Sequence, residues 1–122
     1  MEVGIGHHGE PGLEVVTLET AAQIARRMTD IILPDLPFMA HDEVVVLISG
    51  LGSTPLMELF ILYNEVEKIF REKRIRIYRP YVGNYFTSLE MAGVTLTVMK
   101  LDAGLKACID YEAESMGLCQ FS

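Results

Sequence analysis

Tryptophan is absent, cysteine occurs only twice, and aromatic residues make up just 8% of the chain. Cys108 and Cys119 lie eleven positions apart, with no CxxC pair and no histidine at a zinc-like spacing, which argues against a disulfide framework or a structural metal. The default is two reduced thiols, Cys108 as a small buried hydrophobe and Cys119 as an incidental tail residue. Basic side chains are also scarce. Ten Lys and Arg against seventeen Asp and Glu give a formal charge of -7, which repels phosphate backbones and anionic lipid surfaces. Nucleic acid and membrane are therefore poor partners. Long hydrophobic runs are missing as well: Val44 to Ile48 falls far short of the roughly 20 residues a spanning helix needs, and no basic stretch leads into an apolar run. A soluble, cytoplasmic protein is expected.

What remains is a core. Half of the 122 residues are hydrophobic and 22% are charged, and the apolar positions recur with helical and strand periods, so the chain suits one compact domain and leaves no room for a second. Glu2 to Gly6 reads as a strand that starts almost at the first residue. Domains usually spend a few loosely held residues before a buried strand, so a cut or split chain is expected. Such a chain would keep an unusually apolar surface where an absent N-terminal half once packed.

After the turn at Gly9 to Gly12, Leu13 to Leu18 has strand character, and a helix follows. Thr20 is its expected N-cap, Ala21, Ile24, Ala25, Met28, Ile31 and Ile32 line one face, and Pro34 and Pro37 stop it. Glu43 to Ser49 is an apolar strand of the kind central in a sheet. In the turn Gly50-Leu51-Gly52-Ser53-Thr54-Pro55, Ser53 or Thr54 is expected to cap a helix reaching about Lys73, with Leu56, Leu59, Phe60, Tyr63, Val66, Ile69 and Phe70 as its buried stripe. Ile75 to Val82 and Val94 to Lys100 alternate as strands. Asp102 to Asp110 is a weaker helix broken by Gly104. The fold class is α/β with α+β character, a single mixed sheet with helices packed on it.

His7-His8-Gly9-Glu10-Pro11-Gly12 places an imidazole pair and a carboxylate at a strand end. Strand alternation sends the two rings to opposite faces, so only one can face a pocket, and Gly9 leaves open space beside it. On spacing alone a hydrogen-bonded structural histidine is the commoner outcome, and a ligand-holding one is the alternative. GLGSTP lacks the GK[ST] of a P-loop. Close helix–strand packing or an anion-friendly helix N-terminus are both open readings there. Gly83-Asn84-Tyr85 followed by Thr87-Ser88 reads as a turn with satisfied hydroxyls.

Three stretches in order, GIGHHGEPG, GLGSTPLMELFILYN and GNYFTSLEMAGVTLTVMKLD, together resemble the substrate-binding subunit of dihydroxyacetone kinases, over nearly the whole chain. The resemblance implies a two-layer α/β fold, the second domain of that subunit. It also implies that the histidine directly before GEPG, here His8, bonds covalently to the carbonyl carbon of dihydroxyacetone as a hemiaminal. Position 7 is commonly apolar in the family, so His7 departs from it and does not inherit the role. Gly9 and Glu10 are the neighbouring candidates for binding or orienting the ketone, Glu10 by holding the second ring nitrogen. A reversible bond suits a three-carbon polyol, which offers too few atoms for tight binding by contacts alone.

The family's acid/base histidine and aspartate belong to the first domain, and His41-Asp42 match no motif. The resemblance further implies no cofactor in this chain, and no metal is expected from the spacing of its cysteines and histidines. The phosphoryl donor, ATP or an ADP fed by the phosphotransferase system, sits on a separate nucleotide-binding subunit or fused domain. Expected partners are dihydroxyacetone, the N-terminal half, that nucleotide-binding unit, and further copies in a homo-oligomer. The chain alone is expected to be inactive as a kinase. The alternative is a non-catalytic sensor of dihydroxyacetone that acts on a transcription regulator.

Overall fold

The computed structural model describes residues 1–121. Its centre is a three-stranded sheet in which β3 (Glu43–Gly52) lies between β4 (Arg76–Gly83) and β5 (Ala92–Lys100). The sheet is mixed, since β3 pairs with β4 in parallel and with β5 antiparallel. A parallel neighbour requires a crossover connection, and α2 (Leu56–Glu72) supplies it. α2 lies against β3 and β4, and α1 (Ala21–Ile32) packs on α2. The layered, mixed α/β architecture is the expected one.

β3 is central because its sequence lacks a polar face. Val44, Val46 and Ile48 are fully buried against the helical layer, while Val45, Ser49 and Leu51 on the opposite side are also buried. The core closes with Leu59, Leu62, Val66, Ile69 and Phe70 of α2, Ala25 of α1 and Leu96 of β5. The α2 stripe therefore differs from the expected one. Leu62 is buried, Tyr63 is partly exposed, and Leu56 and Phe60 are 51% and 52% exposed. The first half of α2 is apolar on two adjacent columns, so a helical period alone could not choose between them.

Thr20 caps α1 through a reciprocal box: its hydroxyl accepts from Gln23 N at 3.3 Å, and the Gln23 side chain accepts from Thr20 N at 2.9 Å. A short 3-10 turn, Leu33–Asp35, follows at Pro34. α2 starts differently from expectation. Pro55 is the N-cap residue and no side chain caps the helix, because the Ser53 and Thr54 hydroxyls are turned toward the β5 side, donating to the Met91 and Gly93 carbonyls at 3.2 and 2.8 Å.

Around this centre sit two small ribbons. β1 (Glu2–Val3) pairs with β2 (Glu14–Val15), and β6 (Ala113–Glu114) with β7 (Cys119–Gln120), neither joining the central sheet. α3 (Ala103–Ile109), capped by Asp102, lies between β5 and the second ribbon in sequence. Side chains of β4 anchor this C-terminal region: Tyr78 donates to Asp110, Arg79 pairs with Asp110 at 3.0 Å, and Tyr81 donates to Gln120 at 2.5 Å. Cys108 is exposed on α3, contrary to its expected burial, because so short a helix carries no buried residue. Among the described residues, no helix is long and apolar enough to cross a membrane.

The N-terminal ribbon is tied to α1 by charge. Arg27 bonds Glu19 with two nitrogens and Glu14 at 2.7 Å. Arg27 holds the Glu19 carboxyl below its usual range, and the Met39 amide and Lys100 do the same for Asp42. A carboxylate with a lowered folded pKa contributes stability that is complete above its unfolded value, about 4, and is lost as pH falls through the folded value. Acid unfolding followed by circular dichroism should therefore show stability falling below pH of about 4. Glu19→Gln should flatten that limb, and an unchanged acid limb in Glu19→Gln would rule out the contribution.

Candidate functional site

Parallel pairing puts the C-terminal ends of β3 and β4, Gly52 and Gly83, on one side of the sheet, the edge where ligands collect in α/β folds. Three separate stretches meet there. The turn 50–55 leads from β3 into α2, the segment 84–91 joins β4 to β5, and the tip of the N-terminal ribbon touches the latter through His7 and Phe86, whose rings are 4.2 Å apart and edge-on.

The segment 84–91 is fastened to β3 by hydroxyls. Ser49, with no exposed surface, accepts from the amides of Tyr85 and Phe86 and donates to the Phe86 carbonyl, each at 3.0 Å. Gly52 N donates to Thr87 Oγ1 at 2.9 Å, and Ser53 N to the Met91 carbonyl at 2.7 Å. Gly50 allows the close approach, for a Cβ there would sit 2.3 Å from the Asn84 side-chain oxygen. Thr87 is thus a satisfied hydroxyl as expected, while buried Ser88 Oγ has no hydrogen-bond partner among the described residues. An open groove of about 550 Å³ runs beside them, lined by Gly52, Ser53 and residues 88–92.

His7 and His8 lie in a turn, where strand alternation does not apply, since the first strand ends at Val3. Gly4, at φ 76°, bends the chain out of the strand. The turn is closed by Gly6 N to Glu10 O at 3.0 Å and Gly9 N to Gly6 O at 3.2 Å. Glu10 folds back over Gly6, where a Cβ would lie 1.9 Å from its carboxylate. Its carboxylate accepts from the His8 main-chain N–H at 3.1 Å and stands 3.9 Å from His8 Nδ1. The first distance is a hydrogen bond and the second is not. Glu10 therefore holds the backbone of His8 and stays near its ring. The His8 side chain is 90% exposed, and Gly9, at φ 87°, has open space around it.

His41 and Asp42 serve the fold. Asp42 accepts from Met39 N at 2.7 Å and pairs with Lys100 at 3.0 Å, while His41 N donates to the Arg74 carbonyl. Ser49 and Phe86 were not singled out by sequence. A lone hydroxyl closing an all-apolar strand was the available signal for Ser49, and Phe86 gave none.

With this geometry, residues 1–117 match the Dak1 domain family, and the chain belongs to it. Among curated relatives it is 41% identical, over 110 residues, to the dihydroxyacetone-binding subunit DhaK of PTS-dependent dihydroxyacetone kinase 2 from Listeria innocua, covering 90% of this chain and 33% of that one. It is 42% identical over 106 residues to D-erythrulose kinase of Mycolicibacterium smegmatis, covering 87% and 18%. The chain thus spans about a third, or less, of the length of these relatives. The dihydroxyacetone kinase operon co-activator Dha-DhaQ superposes with a TM-score of 0.81 at 29% identity, covering 89% of this chain and 34% of that one. A structure concerned with regulation of the dha operon of Lactococcus lactis superposes with a TM-score of 0.89 at 28% identity, covering 98% and 38%.

Proposed function

We propose that this chain is the ketone-holding part of a dihydroxyacetone kinase, in which His8 binds dihydroxyacetone as a covalent hemiaminal for phosphorylation by a donor carried elsewhere. The observation that supports it most is the state of the His8 ring. It stands in solvent, next in sequence to the His7 that meets the 84–91 segment, and neither nitrogen is hydrogen-bonded among the described residues. A histidine kept for packing would have its nitrogens satisfied.

Nδ1 faces Glu10, so Nε2 is the nitrogen open to a ketone. Its lone pair adds to the carbonyl carbon, the C=O π pair moves to oxygen, and the proton released from Nδ1 ends on that oxygen, with Glu10 the nearest carboxylate to carry it. The product is a neutral N-substituted imidazole and a hydroxyl, and no co-reactant is consumed. Glycerol, lacking an electrophilic carbon, is excluded by the same chemistry. Phosphoryl transfer needs positioned charge around the donor, and nothing at His8 supplies it. The donor, ATP or a phosphotransferase-fed ADP, belongs to another subunit or domain, and the acid/base groups to the remainder of the longer subunit.

Titrating the chain with dihydroxyacetone labelled with ¹³C at C2 tests this reading. A ketone resonance replaced by that of a tetrahedral carbon, correlated to the His8 ring, is expected. A spectrum with only free ketone and hydrate at saturating concentration would reject it. The superposition on the operon co-activator Dha-DhaQ favours a second reading, a sensor with the same ketone chemistry. Restored dihydroxyacetone phosphorylation when this chain complements a kinase lacking the equivalent segment would decide for the kinase, and failure despite adduct formation would favour the sensor.

A further inference from the structure

We propose that Phe86 and His7 form a brace that sets where the His8 ring is presented, making both of them positioning residues for ketone binding; the proposal rests on the assignment of His8 above. The N-terminal ribbon has two residues per strand and no ladder to the central sheet. Such a ribbon is too small to hold its tip by itself. Its charged ties, Arg27 to Glu14 and Glu19, lie at and beyond β2, on the far side of the turn from His8 in sequence. At the tip, the His7–Phe86 ring contact ties the turn to the rest of the fold.

Phe86 is fit for this. Its main chain is firmly anchored, because the buried Ser49 hydroxyl uses its donor and both lone pairs on Tyr85 and Phe86. Phe86 is nevertheless 57% exposed, so it adds little to the core and instead sets its ring against an imidazole from a distant stretch. The chain of contacts is continuous. β3 holds Ser49, Ser49 holds the Phe86 backbone, the Phe86 ring holds His7, and the turn closed between Gly6 and Glu10 makes the direction of His8 follow that of its neighbour. His7, outside the ketone chemistry, thereby acquires a role of shape.

The test measures adduct formation with the C2-labelled ketone together with ¹⁵N relaxation at the His8 amide. Phe86→Ala and His7→Ala are each expected to weaken adduct formation about fivefold to tenfold and to raise His8 mobility. Phe86→Tyr and His7→Phe keep a ring at each position and should restore both readouts. Wild-type adduct formation in Phe86→Ala, or a His7→Phe chain as impaired as His7→Ala, would overturn the brace. Should the wild type form no adduct, the His8 assignment fails separately, and relaxation alone decides: an equally ordered His8 amide in Phe86→Ala rejects the brace, and a loosened one supports it.

Discussion

Gly52→Ala is expected to lower stability by roughly 2–5 kcal/mol, more than an unhindered glycine would. Two costs combine. Gly52 has φ 69°, and a Cβ there would stand 2.0 Å from the Met91 carbonyl oxygen. The left-handed backbone alone costs a side chain about 1–2 kcal/mol. The clash cannot be relieved cheaply, because that carbonyl is the acceptor for both Ser53 N and Ser53 Oγ, and Gly52 N itself donates to Thr87. Moving Met91 breaks the two bonds its carbonyl accepts from Ser53, each worth about 0.5–1.5 kcal/mol net. Gly9→Ala provides the contrast. Its φ of 87° carries strain, but nothing lies within 4 Å of the added Cβ, so about 1–2 kcal/mol is expected. Urea unfolding of both variants checks the difference, and equal losses would show that backbone strain accounts for all of the Gly52 effect.

The same contrast between local strain and distant contact explains what sequence could tell. β3, α2, β4 and β5 were legible within a few residues, because long apolar runs, a proline at the helix start and β-branched alternation all pointed the same way. The ribbons were not. Glu2 to Gly6 and Leu13 to Leu18 have strand composition, yet only two residues of each pair; Gly4 turns the chain away, and Val15 and Leu18 are 79% and 86% exposed. β-propensity reports suitability for a half-covered surface, and the covering element is not supplied by the described residues. Leu56 and Phe60 on α2 are exposed against expectation in the same way. At the site, the family motif picked out His8, Gly9 and Glu10. It could not show that Glu10 would bind the backbone of His8 in preference to its ring, or that Ser49, 37 positions before the Phe86 backbone it fixes, would set the loop. Those are properties of three-dimensional closure, invisible to spacing.

His8→Ala should abolish the tetrahedral adduct, lowering apparent affinity for dihydroxyacetone at least about a hundredfold, because a covalent bond is removed from a ligand with few other contacts to offer. Stability should hardly change, since the side chain is 90% exposed and its nitrogens make no hydrogen bond among the described residues, and exposed substitutions of this kind stay within about 0.5 kcal/mol. That combination is diagnostic. A structural histidine would show the reverse, lost stability with binding to match. His8→Gln, which keeps a polar side chain of similar reach but no nucleophilic nitrogen, should be as defective as alanine. Glu10→Gln separates the two roles given to the carboxylate. Its amide oxygen can still accept from the His8 N–H, so the turn survives, while the proton carrier beside Nδ1 is lost. The adduct should then form more slowly, with its equilibrium constant little altered, because a proton relay changes the barrier and leaves the end states alone. Adduct formation at the wild-type rate in Glu10→Gln would assign the carboxylate to the backbone alone, and an intact adduct in His8→Ala would move the ketone chemistry away from this turn altogether.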